Sequence, residues 1–93
     1  MSVTIRIPGP LRRVTNGQSQ VSVEATTVAE AIDSLDSEHA GIKDRICDET
    51  GDLRYFVNVY LNGEDVRFLD GTNTIVNAGD ELSIVPAVAG GAI

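Results

Sequence analysis

Alternating apolar and polar residues mark two strands near the start of the chain. From Val3 to Ile7, and again through Val21 and Val23, apolar side chains occupy every second position, as a strand with one buried face requires. Pro8-Gly9-Pro10 ends the first run, and Asn16-Gly17 precedes the second. Both are turn signals. The pattern predicts a hairpin whose long loop contains residues 11–14.

A helical period follows this hairpin. The apolar residues at helical spacing are Val28, Ala31, Ile32 and Leu35. They predict one apolar stripe that lies across a sheet. Thr27 and Glu30 form a predicted capping box, in which the Thr27 hydroxyl accepts from the Glu30 amide and the Glu30 carboxylate accepts from the Thr27 amide. Gly41 is a plausible stop, and residues 42–47 could add a short helical turn.

The second half of the chain predicts further strands. Tyr55–Leu61 is rich in aromatic and β-branched residues, which favours a strand. Asn62-Gly63 then predicts a tight reversal into a returning strand through Val66, Arg67 and Phe68. After a turn at 77–80, a final strand runs from Leu82 until Pro86 ends its hydrogen bonding. The predicted order is β-β-α-β-β-β, an α+β fold.

Composition limits the function classes. The chain has 93 residues, 42% of them apolar, which suits one domain. No apolar run approaches the roughly 18 residues of a membrane span, and the first residues lack the features of a signal peptide. We therefore expect a cytoplasmic protein with no membrane partner.

Charge and cysteine content exclude other classes. Seven basic against 14 acidic residues give a net charge of −7, which argues against a nucleic-acid partner and suits a basic protein partner. One cysteine, Cys47, and one histidine, His39, are too few for a disulfide or a structural zinc site. We predict no metal, no bound cofactor and no catalytic residue in this chain.

The end of the chain carries the strongest functional signal. Residues 87–93 contain no charge, aromatic group or helix signal, and they include the adjacent glycines Gly90 and Gly91. Two glycines lose much backbone entropy if they are ordered, so we expect a flexible tail. The predicted division is a domain over 1–89 and a tail over 90–93.

The closing segment from Gly79 to Gly91, with the predicted strand order, resembles the ThiS/MoaD family of ubiquitin-like sulfur carriers. Pro8 to Arg13, Asn62-Gly63 and Val66-Arg67-Phe68 are similar to the branch that includes the mycobacterial cysteine-biosynthesis carrier. The resemblance covers essentially the whole chain. It implies a ubiquitin-like β-grasp, in which a mixed sheet of four to five strands is crossed by one main helix.

The resemblance also implies a chemistry for the tail. The activated group would be the carboxylate of Gly91. An E1-like enzyme of the MoeB/ThiF type would join this carboxylate to AMP, and a sulfur donor would then convert it to a thiocarboxylate. Ala89, Gly90 and Gly91 would be recognised by that enzyme, because glycine fits a narrow channel where side chains would clash. ATP and the sulfur donor belong to the partner, and a biosynthetic enzyme accepts the sulfur for cysteine, methionine or another metabolite.

Two residues follow the diglycine in this sequence. Ala92 and Ile93 leave Gly91 with an unreactive amide as encoded. This ending resembles precursors that a zinc-dependent JAMM-type protease trims, so we expect cleavage between Gly91 and Ala92.

The resemblance further suggests a docking face. Alternation within Val57–Leu61 turns Tyr60 away from the helix, and Val85 lies near the exit of the tail. We predict that Tyr60, Val85 and Val88 contact partners.

Two other functions would need the same C-terminal diglycine. One is a protein modifier joined through Gly91 to lysines of other proteins, although a single lysine, Lys43, leaves few sites for chain building. The other is the small subunit of molybdopterin synthase. The final sulfur acceptor, the sulfur source and the protease stay open.

Overall fold

The computed structural model describes residues 2–86, which form one mixed sheet crossed by a helix. The strands are β1 (Ser2–Arg6), β2 (Gln20–Glu24), β3 (Val57–Leu61), β4 (Glu64–Asp65) and β5 (Glu81–Pro86). The helices are α1 (Val28–Glu38) and α2 (Ile42–Ile46), with 3-10 turns at Gly9–Leu11, Val66–Phe68 and Gly71–Asn73. The sheet has five strands in the order β2-β1-β5-β3-β4. The predicted element order is confirmed except for the strand through residues 66–68, and α2 is the predicted short helical turn.

The first hairpin forms as predicted. β1 and β2 pair antiparallel, with Val3 opposite Val23. Asn16 and Gly17 have φ angles of 57° and 84°, in the left-handed region that Asn and Gly tolerate best. Leu11 and Val14 in the loop are half-buried against the core, so the loop closes one end of the domain.

Helix α1 buries its whole predicted stripe against the sheet. Its cap differs from the prediction in one bond. The Thr27 hydroxyl accepts from the Glu30 amide at 3.2 Å, but the Glu30 carboxylate accepts from the amide and the hydroxyl of Thr26, at 2.9 and 2.7 Å. Thr26 offers two donors side by side, and it therefore holds the carboxylate one residue upstream of the predicted partner.

Strand β3 begins two residues later than predicted. The Arg54 carbonyl accepts from the Val57 amide at 2.9 Å, and this turn places Tyr55 and Phe56 outside the strand. Tyr55 is 90% exposed and meets the Phe56 ring edge to face at 5.3 Å.

The returning strand through residues 66–68 was a wrong prediction. Asn62 and Gly63 do make the tight turn, with φ angles of 51° and 92°, but β4 pairs with β3 over only two residues. The Asp65 carboxylate then accepts from the Arg67 amide at 2.9 Å, which starts a 3-10 turn. Val66 enters the core and Phe68 is 84% exposed.

The core lies between α1, α2 and the inner face of the sheet. Its largest fully buried side chains include Ile5, Ile7, Leu35, Ile42, Ile46 and Leu82. β5 lies at the centre of the sheet, parallel to β1 and antiparallel to β3. Over residues 2–86 the structure contains no helix of the length and apolarity that a membrane crossing needs.

Candidate functional site

The candidate site is the point where the chain leaves the central strand. β5 is paired with β3 up to its last residue, with Pro86 opposite Val57 and Val85 opposite Asn58. Its pairing with β1 extends to Ser83. The tail is therefore attached to the central strand of the sheet, which is paired on both sides.

The predicted tail residues lie outside the described part of the chain. These residues are Val88, Ala89, Gly90, Gly91 and Ala92, and their predicted roles stay predictions. The structure gives the point of attachment at Pro86 and the surface around it.

The two predicted docking residues within the described range lie on one face of the sheet. Val57 and Val59 are buried, as alternation predicted. Tyr60 is half-buried and lies opposite Ser83. Val85 is 42% exposed and is the diagonal neighbour of Tyr60, a separation that aromatic side chains can span. Their contact with partners stays a prediction.

Two hollows adjoin the base of the tail. A hollow of about 240 Å³ is lined by apolar residues including Leu11, Phe56 and Pro86, and by the arginines Arg45 and Arg54. A second hollow of about 340 Å³ is lined by Val85 and Pro86, and by the arginines Arg6 and Arg12. Both hollows share Ile84 and Pro86. Pro86, the last residue that the structure describes, therefore lies between apolar walls and arginines.

Arg12 and Arg54 of the hollows, and the neighbouring Arg67, donate to uncharged oxygens. Arg12 donates its Nε proton to the Ile7 carbonyl at 3.1 Å, and Arg54 donates its Nε proton to the Asp44 carbonyl at 3.0 Å. Arg67 donates to the Asn58 side-chain oxygen and to the Arg54 carbonyl, each at 2.6 Å. The guanidinium groups are thereby held in fixed orientations.

Four arginines near Pro86 that form no ion pair within residues 2–86, Arg12, Arg45, Arg54 and Arg67, were not grouped by the sequence analysis. They lie at positions 12, 45, 54 and 67, on four different segments that meet only in the folded chain. The one sequence signal was the inclusion of Arg12 and Arg67 in the segments similar to the cysteine-biosynthesis branch.

Cys47 has none of the features of a reactive thiol. It is 3% exposed, and burial raises the pKa of its thiol, which opposes formation of the nucleophilic thiolate. Lys43 lies nearby but is paired with Asp33 at 2.6 Å. Within the described range, no three His, Cys, Asp or Glu side chains come together as a metal site.

Comparison with known proteins gives matches that cover nearly the whole chain. The model of the ThiS family matches residues 5–91. Sulfur carrier protein CysO of Mycobacterium tuberculosis is 45% identical over 93 residues, covering 98% of this chain and 100% of that protein. Small archaeal modifier protein 3 of Haloferax volcanii is 36% identical over 94 residues, covering 98% and 100%.

Solved structures match the fold closely. A chain of the BexX/CysO complex of Amycolatopsis orientalis superposes with a TM-score of 0.91 at 50% identity, covering 96% of this chain and 99% of that chain. Crystalline CysO of Mycobacterium tuberculosis gives 0.86 at 42% identity, covering 90% and 97%. These matches confirm the predicted ubiquitin-like β-grasp.

Proposed function

The chain belongs to the ThiS family, and we propose that it is a sulfur carrier whose thiocarboxylate forms on Gly91. The supporting observation is that the family match ends at residue 91, the second glycine, while a sulfur carrier protein is 45% identical along its full length. Ala92 and Ile93 lie beyond the matched range.

The proposed chemistry takes place entirely on the tail. A free carboxylate is a poor acyl donor, so a MoeB/ThiF-type enzyme joins the Gly91 carboxylate to AMP and releases pyrophosphate from ATP. Sulfide then displaces AMP and leaves a thiocarboxylate. A biosynthetic enzyme takes this sulfur for cysteine, methionine or another metabolite. Catalysis belongs to these partners, and this domain presents the tail to them.

Removal of Ala92 and Ile93 precedes activation in this proposal. A JAMM-type zinc protease hydrolyses the Gly91–Ala92 peptide bond and frees the Gly91 carboxylate. Gly91 is five positions after Pro86, which allows a reach of roughly 17 Å when the chain is extended. The globular domain can therefore remain outside a partner's active site while Gly91 enters it.

An ATP–pyrophosphate exchange assay tests this function. A cognate activating enzyme is given the full chain, the chain ending at Gly91, and the shortened chain with Gly91→Ala. We expect exchange only with the shortened wild-type chain, because the added Cβ atoms do not fit a channel that accepts glycine. Equal adenylation of the full chain would contradict processing, and no adenylation of either form would contradict the carrier function.

A protein modifier is the second candidate function. It is supported by the 36% identity to small archaeal modifier protein 3. Intact-mass analysis separates the two: a carrier shows sulfur in place of oxygen at Gly91, whereas a modifier shows branched conjugates through lysines of other proteins. The third alternative, a molybdopterin synthase subunit, predicts stable co-purification with a larger subunit.

A further inference from the structure

We propose that the protein that receives the tail docks on an arginine collar through carboxylates that surround an apolar side chain. The arginine collar consists of Arg12, Arg45, Arg54 and Arg67. The identity of this partner as an enzyme that acts on the tail rests on the proposed function. The chemistry of the collar does not, because it follows from the described residues alone.

The collar surrounds the exit of the tail. Arg45 and Arg54 line one hollow beside Pro86, and Arg12 lines the other. Arg67 bonds to Asn58, which lies directly opposite Val85 in the sheet. These are four of the chain's seven basic residues; a fifth, Arg6, also lines the second hollow but is paired with Glu81.

The positive charge of the collar is not cancelled by ion pairs there. Over residues 2–86, the two ion pairs are Arg6–Glu81 and Lys43–Asp33, and neither uses a collar arginine. Arg12, Arg54 and Arg67 instead donate to carbonyl or amide oxygens. Hydrogen bonds and, more weakly, the charge of Arg54 lower the pKa of Asp48, but the ion pairs of the described residues leave all four collar arginines without a direct carboxylate partner. A carboxylate from another protein would supply that direct partner.

The hydrogen bonds of the collar leave donors available. A guanidinium has five N–H donors, and Arg12 and Arg54 use only the Nε proton in the bonds described. Their two terminal nitrogens remain to grip a carboxylate in a bidentate pair. Because the Nε bond already fixes the orientation, less conformational entropy is lost when the partner binds.

Aromatic and apolar side chains lie beside the collar. None of the four aromatic residues, Tyr55, Phe56, Tyr60 and Phe68, belongs to the buried core. Tyr60 lies on β3, Tyr55 and Phe56 directly precede that strand, and Phe68 lies in the 3-10 turn after β4. Protein interfaces are enriched in arginine and aromatic residues and depleted of lysine and glutamate. The surface therefore has the composition of a protein-binding site.

The short distance over which charges act favours an acidic protein over a nucleic acid as the partner of the collar. A phosphate backbone is negative along its whole length and would also lie against the acidic surface outside the collar of this chain, whose net charge is −7. A protein can place carboxylates only opposite the collar. At physiological salt, interactions fade beyond about 8 Å, so the collar governs contact at the tail. From the net charge alone we expected a basic partner. The positive charge of the collar favours an acidic partner at this surface instead.

Peptide binding to the full chain tests the collar without any enzyme. The probes are the hexapeptides Glu-Glu-Leu-Phe-Glu-Glu, Gln-Gln-Leu-Phe-Gln-Gln and Lys-Lys-Leu-Phe-Lys-Lys, and a single-stranded oligothymidine. The readout is the NMR shift of arginine Nε–Hε signals, which reports each collar residue separately. Arg45→Glu reverses one collar charge, and Arg13→Glu is its matched control because Arg13 is exposed and lines neither hollow.

We expect the acidic peptide to shift the collar signals most. The shifts should shrink as salt rises from about 0.01 to 0.3 M, should fall in Arg45→Glu, and should persist in Arg13→Glu. Equal shifts with the glutamine or lysine peptide would overturn the proposal. Larger shifts with oligothymidine would identify a phosphate site and would overturn it as well.

The activating enzyme provides the second measurement. Arg45→Glu and Arg67→Glu in the chain ending at Gly91 should slow association by about tenfold and weaken its salt dependence, while Arg13→Glu leaves it unchanged. Unchanged or faster association of the collar variants would overturn the proposal. If the wild-type chain itself is not bound, the proposed function fails, and the peptide measurement alone decides the collar.

Discussion

Replacement of Leu35 by alanine should remove a large part of the stability of the domain. Leu35 is fully buried and faces the sheet from α1. Three carbon groups are lost, and their transfer from water contributes about 2.4 kcal/mol. The cavity adds about 1 kcal/mol, because the Thr27 cap and the Asp36 bonds to the amides of Gly41 and Lys43 restrict relaxation of α1. We expect the free energy of unfolding to fall by about 3.5 kcal/mol.

Urea unfolding followed by circular dichroism measures this change. Leu69→Ala is the matched control, because Leu69 is 38% exposed and lies outside the buried core, and it should cost less than about 1 kcal/mol. A loss of 3.5 kcal/mol in a domain of this size corresponds to a fall of about 15 °C or more in Tm. If the two variants had the same urea midpoint, the assignment of Leu35 to the core face would be wrong.

Three further predictions concern the surface and the titratable groups. Tyr60→Glu should weaken binding to the activating enzyme in calorimetry without lowering Tm, because the new charge is solvated in the free protein and buried only in the complex. Gln20→Glu on the exposed edge strand β2 is the control. Binding by Tyr60→Glu as tight as that of the wild type would exclude Tyr60 from the interface. Cys47 should resist iodoacetamide in the folded protein and react in urea, since burial raises its pKa; alkylation of the folded chain at the unfolded rate would contradict this. Hydrogen bonds lower the pKa of Glu30 and of Asp48, so their stabilisation is present at neutral pH and is lost as the pH falls below about 4. Urea midpoints from pH 7 to 3 should therefore drop less in Glu30→Gln than in the wild type, and an identical drop would show that Glu30 contributes nothing.

Periodicity predicted the parts of the fold in which burial alone decides the structure. The alternation in β1, β2 and β5 and the apolar stripe of α1 each placed the correct side chains inside. These segments have one buried face and few competing local bonds, so the pattern of apolar residues is sufficient.

Local polar bonds decided the segments that were predicted incorrectly. Val66 and Phe68 imitate the alternation of a strand, but Asp65 caps the Arg67 amide, and the Arg67 side chain reaches Asn58 and the Arg54 carbonyl. The last two contacts join residues 9 and 13 positions apart, and no local pattern contains them. The collar escaped prediction for the same reason, since its members meet only after folding.

The central position of β5 has a mechanical consequence. In the proposed function, a partner that draws the tail into a channel would pull along β5, whose hydrogen bonds to β1 and β3 lie across the direction of that pull. Such a force loads the bonds together in shear, whereas an edge strand would peel away one bond at a time. The tail can therefore be drawn taut while the sheet that anchors it stays intact.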